Sequence, residues 1–264
     1  MPTARKPKTR SYDPAKIDAA VTAQFGHIAE AVGGLSAEQL ARPTHLGGWT
    51  VRELAAHIAW VIDSLAAATE RPAPAKAQVT AVEWPFATAF LAGRIAEVAK
   101  ELSLEDPLDV QYERAVARLA AALAAHPGSR PLDLRIGSMT LADFMVTRTV
   151  ELVVHTDDLN RAAGLAIPFE RQALAACTRL LADALAAKAP GGSVEVRIPP
   201  FAVVQCVEGP RHTRGTPPNV VETDPLTWVR LATGRTGWAA ALAEAQVSAS
   251  GERADLAAVL PVMS

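Results

Sequence analysis

Residues 148–159 have the sequence RTVELVVHTDDL, and this stretch carries the strongest signal in the chain. Glu151 and His155 are four residues apart, so on a helix they lie one above the other on the same face. Phe144 and Leu159 lie along the same line, so the polar pair points toward an expected core. A buried carboxylate without a partner costs several kcal/mol, which makes a compensating cation nearly obligatory.

A second histidine, His57, interrupts the apolar stripe of another predicted helix, TVRELAAHIAW. Thr50 and Glu53 form a capping-box pattern at the start of this helix. Two imidazoles and one carboxylate from two buried helices would make a three-ligand site with open positions, the usual layout of a catalytic zinc or a related divalent ion. The sequence therefore predicts a metal site at His57, Glu151 and His155.

A competing interpretation is an ion pair between Arg148 and Glu151 beside an ordinary core histidine. A lone histidine on an apolar helix face is more often a core residue than a ligand. Asp157 and Asp158 are plausible acceptors for a ligand imidazole, although their position near the helix end favours solvation. Spacing alone leaves both interpretations open.

Composition limits the class of protein. With 264 residues, half of them apolar, the chain can form one or two cores and fits a two-domain soluble protein. The net charge of −2 creates no overall field toward nucleic acid or an anionic membrane. No window reaches the roughly 18 consecutive apolar residues of a membrane span, and the N-terminus lacks the apolar region of a secretion signal. We expect a cytoplasmic monomer or small homo-oligomer with no nucleic-acid or membrane partner.

Helical patterns separated by Pro and Gly extend to about residue 165. The predicted helices begin at Pro14, after Thr50, near Thr88, near Asp106 and after Gly137. Gly164 is predicted to end the last of them. Four long helices among these make a bundle. The basic residues 1–10 are predicted to be a flexible tail, with a nucleic-acid arm as the alternative.

The period changes to two after residues 189–192, Ala-Pro-Gly-Gly. Strands are predicted near residues 194–198, 202–207, 219–222 and 246–249, with one helix from Pro225 to Gly234. The expected fold class is therefore α+β, in which a four-helix bundle over residues 11–166 precedes a small domain over 167–264 with an antiparallel or mixed sheet. Cys177 and Cys206 form no metal-type pair and are predicted to be buried thiols.

Two segments, GGWTVRELAAHIAW at 47–60 and RTVELVVHTDDLNRAAG at 148–164, carry a family resemblance. They resemble the N-terminal domain of mycothiol-dependent maleylpyruvate isomerase and its actinobacterial relatives, a branch of the DinB-like four-helix bundles. The resemblance covers roughly residues 10 to 165. It implies that His57, Glu151 and His155 bind a divalent metal, usually zinc.

The C-terminal third resembles the companion domain of these proteins, which is similar to sterol carrier protein 2. The matching segments are DPLTWVRLATGR at 224–235 and VSASGERADLAAVLPV at 247–262. Together the two parts look closest to actinobacterial sterol carrier family proteins, a name that comes from the fold and does not establish a sterol ligand. The resemblance also implies an arginine that binds an anionic substrate or thiol. Arg235 is the candidate catalytic residue, with Arg253 and Arg230 as alternates.

The loop EGPRHTRGTPPN places Arg211, His212 and Arg214 beside Gly and Pro. The positive charges of this turn could bind an anion such as a carboxylate. The alternative is an exposed hairpin whose charges are solvated.

The resemblance implies a metal-dependent transferase or isomerase that uses a low-molecular-weight thiol, plausibly mycothiol, on a small anionic electrophile. The metal would lower the pKa of the thiol, and thiolate addition followed by elimination would isomerise a double bond without a protein cysteine.

A second hypothesis is a non-catalytic binding protein for a lipid or other small apolar ligand. It is suggested by residues 201–207 and by Trp228, Leu231, Trp238 and Leu242. The simpler interpretation of these residues is a small-domain core. A metal-activated hydrolase is a third hypothesis, but the sequence supplies no clear general base beyond the ligands.

Overall fold

The computed structural model describes residues 10–88, 92–209 and 217–263, without the side chains of Ala92, Arg94 and Ala96. The predictions for the tail before residue 10 and for Arg211, His212 and Arg214 fall outside these described residues and stay predictions. Among the described residues, no helix combines the length and the apolar character that crossing a bilayer requires.

The N-terminal part is helical. Its helices are α1 (Pro14–Gly33), α2 (Ala37–Leu40), α3 (Val51–Glu70), α4 (Trp84–Ala87), α5 (Ala92–Glu105), α6 (Leu108–Ala125) and α7 (Leu141–Ala163). Helix α3 packs on α5, α6 and α7, and α1 packs on α6 and α7. The predicted four-helix bundle is thus formed by α1, α3, α6 and α7. A short antiparallel pair, β1 (Pro131–Leu132) and β2 (Met139–Thr140), leads into α7.

Local capping signals fix where the two central helices begin and end. The Thr50 backbone N–H donates to Glu53 Oε2 at 2.6 Å, and the Glu53 N–H donates to Thr50 Oγ1 at 3.3 Å. Helix α7 begins where the Asp143 N–H donates to Thr140 Oγ1 at 3.1 Å. It ends at Gly164, whose φ of 69° lies in the left-handed region that glycine adopts without strain. These contacts stabilise the ends of the two helices that carry the candidate ligands, and the packing of α3 on α7 turns the ligands toward each other.

The C-terminal part is a mixed sheet with helices. Its elements are α8 (Arg171–Lys188), β3 (Val194–Ile198), β4 (Ala202–Cys206), β5 (Val220–Thr223), α9 (Pro225–Ala232), α10 (Trp238–Ala243) and β6 (Val247–Ser250). The strand order is β4-β3-β5-β6, with β3 and β5 parallel and the other pairs antiparallel. Each predicted strand is present within one residue of its predicted bounds. Helix α10 was not predicted, because its six residues WAAALA lack a side-chain cap.

Helix α8 joins the two parts. It packs on α1 and α7 on the bundle side and on β4 and α9 on the sheet side. Leu180, Leu181 and Leu185 are fully buried along it, and Trp228 Nε1 donates to the Thr178 carbonyl at 3.3 Å. The buried apolar side chains of both parts therefore form one continuous cluster.

Gln24 ties the segment before α8 to the bundle. Its Nε2 donates to Thr156 Oγ1 at 3.0 Å and to the Pro168 carbonyl at 3.1 Å. The Glu170 N–H donates to Gln24 Oε1 at 2.6 Å. A fully buried amide is thus satisfied by α7 and by the approach to α8.

Candidate metal centre and adjoining cavity

Helices α3 and α7 bring the three predicted ligands together. One donor atom each from His57, Glu151 and His155 lies within 4.8 Å of the other two. Glu151 Oε2 is 3.3 Å from His155 Nε2 and 3.7 Å from His57 Nε2. The two histidines are buried, at 4% and 7% exposure.

The orientation of His155 is set by a second carboxylate. His155 Nδ1 lies 3.0 Å from Asp158 Oδ2. Burial alone would raise the pKa of Asp158, but the hydrogen bond from His155 and the charge of Arg235 lower it to about 2. The ionised carboxylate can only accept, so Nδ1 carries the hydrogen and Nε2 faces Glu151. An imidazole lone pair and a carboxylate 3.3 Å apart need a cation between them, either a proton or a metal ion.

The pKa shifts of the three candidate ligands reflect burial on one side and neighbouring charged groups on the other. Burial lowers the pKa of His57. Burial also disfavours the charged form of His155, but the hydrogen bond with Asp158 and the adjacent carboxylate of Glu151 outweigh it and raise that pKa. Burial would raise the pKa of Glu151, yet the two adjacent imidazoles and the charge of Arg148 hold it well below its usual range. The centre therefore offers an ionised carboxylate and an imidazole that is readily neutral.

These donors fit a divalent ion such as zinc. Zinc prefers imidazole nitrogen and carboxylate oxygen at roughly 2.0–2.2 Å, and two such donors in tetrahedral geometry lie about 3.4 Å apart. The Glu151 to His155 and Glu151 to His57 separations, 3.3 and 3.7 Å, agree with that spacing. His57 Nδ1 is buried without a hydrogen-bond partner among the described residues. The donor set thus has the polarity and spacing of a three-ligand site.

A cavity of about 160 Å³ opens beside the centre. His57 and Glu151 form part of its wall, together with the indole rings of Trp60 and Trp84 and the guanidinium group of Arg148. A larger hollow of about 620 Å³ lies elsewhere, between α1, α2 and α6, and none of the three predicted ligands lines it. The smaller cavity is therefore the one that adjoins the candidate chemistry.

Arg148 is a buried cation in this cavity, with 5% exposure. Its guanidinium carbon lies 4.2 Å from the centre of the Phe144 ring, and its Nη2 donates to Thr147 Oγ1 at 3.1 Å. The nearest approach to Glu151, from Nη2 to Oε1, is 3.9 Å, which is too long for a hydrogen bond. The Arg148–Glu151 ion pair of the competing interpretation is therefore present, as a long contact without a hydrogen bond, beside the cluster of candidate ligands.

Two cavity arginines were missed by the sequence analysis. Arg71 and Arg135 are exposed and line the cavity with Arg148. Both lie outside helices and strands, where no periodic pattern signals a role. The sequence does not show that they lie near Arg148, because their proximity depends on how the segment before β2 folds against α3 and α7.

Arg235, the candidate catalytic residue, lies after α9 and pairs with α7. Its Nη2 donates to Asp158 Oδ2 at 3.0 Å, and its side chain is 21% exposed. It does not line the 160 Å³ cavity. Contact between Arg235 and a substrate therefore stays a prediction.

The two alternates occupy other places. Arg230 donates to Asp157 from Nη2 at 2.6 Å and from Nε at 2.8 Å. Arg253 donates to the Glu208 carbonyl at 3.4 Å, between the segments that follow β4 and β6. The expectation that Asp157 and Asp158 are solvated is wrong, since they are 3% and 2% exposed. The arginines of the C-terminal part cover them.

The fold and centre define a class of two-part proteins, in which a helical bundle with an imidazole–carboxylate cluster is joined to a small mixed-sheet domain. Residues 21–160 match the family model of the mycothiol maleylpyruvate isomerase N-terminal domain. Residues 170–262 match the model described as bacterial SCP ortholog. The first match spans more than half of the chain, so the chain belongs to the family of the mycothiol maleylpyruvate isomerase N-terminal domain.

Solved structures agree with this fold. The crystal structure of the mycothiol-dependent maleylpyruvate isomerase is 18% identical with a TM-score of 0.58, and it covers 90% of this chain and 93% of that one. The crystal structure of a mutant of that isomerase, in which one histidine is replaced by alanine, is 17% identical, with the same TM-score and the same coverage. At this identity the likeness shows a common fold over both parts. Comparison with curated proteins gives no match.

Proposed function

We propose that this protein is a metal-dependent enzyme, with zinc as the first candidate, that uses a low-molecular-weight thiol such as mycothiol. Its reaction would be an isomerisation or transfer on a small anionic electrophile. One observation carries the proposal: the 160 Å³ cavity has His57, Glu151 and Arg148 in its wall. A candidate metal centre and a buried cation thus face the same small space. Membership of the isomerase family supports the thiol.

Each group has a distinct part in this proposal. His57, Glu151 and His155 would hold the ion through two nitrogens and one oxygen. When bound, the ion would lower the pKa of a thiol so that thiolate exists near neutral pH. Arg148 would bind a carboxylate of the electrophile, since a guanidinium suits planar anions. Trp60 and Trp84 would restrict water.

The reaction needs no protein thiol. Addition of the external thiolate to a conjugated double bond leaves a single bond that can rotate. Elimination then restores the double bond in the other geometry and releases the thiol. Cys177 and Cys206 are fully buried, and burial raises the pKa of both, that of Cys206 to about 11. Neither is suited to act as the nucleophile.

The structure offers less support for the other two hypotheses. Trp228 and Leu231, which suggested an apolar ligand site, are 1% and 2% exposed and belong to the core. Glu151 is the only carboxylate among the described cavity residues, and a hydrolase would need it both as ligand and as base. The cytoplasmic location and the monomer or small homo-oligomer stay predictions.

Metal content is the first test. Protein purified without a polyhistidine tag is compared with the His57→Ala/His155→Ala double variant by elemental analysis, with folding followed by circular dichroism. We expect about one equivalent of zinc or a similar ion in the wild type and none in the folded variant. The His45→Ala/His126→Ala variant removes two histidines outside the centre and should keep the metal. A wild type that stays metal-free after reconstitution would sink the proposal.

Thiol dependence is the second test. Metal-loaded protein is mixed with maleylpyruvate, the substrate in the family name, with and without mycothiol, and the isomeric products are separated. Turnover that requires both metal and thiol would support the proposal. Turnover without thiol would contradict the thiol step. Absence of thiol-dependent turnover with maleylpyruvate and a panel of other cis-unsaturated acids would contradict the reaction class.

A further inference from the structure

Two adjacent ion pairs join α7 to the C-terminal part. Asp157 pairs with Arg230 at 2.6 Å, and Asp158 pairs with Arg235 at 3.0 Å. Both carboxylates are buried, with side chains 4% and 1% exposed. Each arginine donates from two nitrogens. Arg230 donates to Asp157 from Nη2 and Nε, and Arg235 donates to Asp158 from Nη2 and, at 3.4 Å, from Nε. The pairs are therefore alike in chemistry, burial and location.

They differ in what lies behind the carboxylate. Asp158 Oδ2 accepts from His155 Nδ1 at 3.0 Å as well as from Arg235. Asp157 makes no hydrogen bond to the three candidate ligands among the described residues. A continuous series of hydrogen bonds thus runs from Arg235 through Asp158 to His155, and within the described part of the chain no such series runs from Arg230 to a candidate ligand.

The hydrogen bonds from Arg235 through Asp158 to His155 can fix the orientation of the imidazole. A carboxylate bonded to the outer nitrogen of a ligand imidazole fixes the plane and tautomer of the ring, and its loss typically costs 10- to 100-fold in metal affinity. The carboxylate must itself be held, because a free aspartate can rotate away. Arg235 holds it with two donors from beyond α9.

We propose that Arg235 is a positioning residue, which acts through Asp158 to keep His155 in its metal-binding orientation. Docking of the C-terminal part thereby sets the metal affinity of the bundle. The inference rests on the proposed metal centre. It also gives Arg235 a role that needs no contact with substrate.

The two ion pairs supply a matched experiment on the full-length chain. Asp158→Asn and Arg235→Met are compared with the controls Asp157→Asn and Arg230→Met. Zinc affinity is measured by competition with a chromophoric chelator, and the visible spectrum of the cobalt-substituted protein reports the ligand field. We expect Asp158→Asn to weaken zinc binding about 10- to 100-fold and Arg235→Met about 10-fold, both with a changed cobalt spectrum. The controls should stay within about threefold of wild type and keep its spectrum.

A double-variant cycle separates positioning from general destabilisation. Arg235→Met in the Asp158→Asn background should cost little further zinc affinity, because the contact chain is already broken. Denaturant unfolding should show similar stability losses for the Arg235→Met and Arg230→Met variants. Arg235→Lys keeps the charge without the planar fork, so it should recover part of the lost affinity and also serves should Arg235→Met not fold.

Three outcomes would overturn the inference. Equal weakening of zinc binding by the Arg230 and Arg235 variants would show a structural effect of the interface. Unchanged zinc affinity in a folded Arg235→Met variant would contradict positioning and leave the proposed function intact. A wild type without zinc affinity would overturn both together.

Discussion

Arg148 lies beside Glu151 without forming a hydrogen bond to it. Its guanidinium stacks on Phe144 and donates to Thr147, which holds it 3.9 Å from the carboxylate. Because Glu151 Oε2 is turned toward the imidazoles, we propose that Arg148 can bind an anion in the cavity. Burial opposes this charge and lowers the pKa of Arg148, and the nearby carboxylate counteracts that effect.

Arg148→Lys tests this anion-binding role. Lysine keeps the charge but loses the planar fork that binds a carboxylate through two hydrogen bonds. We expect kcat/KM for the anionic electrophile to fall about 10- to 100-fold, as for loss of a hydrogen bond to a charged group. Metal content should be unchanged. Steady-state kinetics and elemental analysis on the same preparation measure both quantities.

The control for this variant is Arg52→Lys. Arg52 donates to the Ser103 carbonyl at 3.0 Å and lines the larger hollow away from the centre. It should leave kcat/KM within about twofold of wild type. If the Arg148→Lys variant has wild-type kinetics, the electrophile does not bind at this guanidinium.

At the residue scale, the sequence predicted the members of the centre and offered Asp158 as an acceptor for a ligand imidazole, which the contact with His155 confirms, but it missed the pairing of Asp158 with Arg235. The four-residue spacing of Glu151 and His155 indicated a shared helix face, and the place of His57 in an apolar stripe indicated a buried polar residue. Asp158 and Arg235 are 77 residues apart, and no periodic pattern connects them. Their contact depends on how the two parts pack, so spacing alone cannot show it.

At the element scale, the cap of α3 stabilises the start of the helix that carries His57. Thr50 and Glu53 satisfy each other's backbone N–H groups. This fixes the first turn two turns before His57.

Thr50→Ala tests how much this cap stabilises the protein. Loss of an N-cap side chain costs typically about 1 kcal/mol, within a range of about 0.5–2 kcal/mol. We expect that decrease in the free energy of unfolding by urea denaturation, with zinc stoichiometry retained because the helix interior holds its register. Ser36→Ala breaks the same motif at α2, a four-residue helix without buried residues, and should cost less. An equal cost at both positions would contradict a special role for the α3 cap.

Element prediction succeeded where the signal is local. Long helices carry caps and a repeated apolar stripe, and β3 alternates buried and half-buried residues along its length. Helix α10 and the pair β1–β2 are too short to show a period. The parallel pairing of β3 with β5 depends on the intervening chain, so the sequence specified only an antiparallel or mixed sheet.

At the scale of the whole molecule, α8 belongs by contact to both parts. The proposed boundary between residues 166 and 167 falls just before it. The domain predicted over residues 167–264 includes α8, which leads into the strands. Packing also places it against α1 and α7, and the apolar core continues across it.

This continuity predicts that the protein unfolds in one cooperative transition. Tryptophan fluorescence and far-ultraviolet circular dichroism should give coincident urea curves, since tryptophans occur in both parts. Cys177 on α8 is fully buried, so a thiol reagent should modify it only along the same curve. Two separated transitions would show instead that the bundle and the sheet domain are independently stable.

The paired carboxylates on α7 also bear on how such proteins can diversify. A bundle that carries Asp157 and Asp158 presents two buried negative charges to whatever is fused behind it. If a different C-terminal domain replaced this one, the carboxylates of Asp157 and Asp158 would lack partners unless the new domain placed two arginines at the same positions. We therefore expect that a substitution at one of these aspartates or arginines requires a compensating substitution at its partner in the other part.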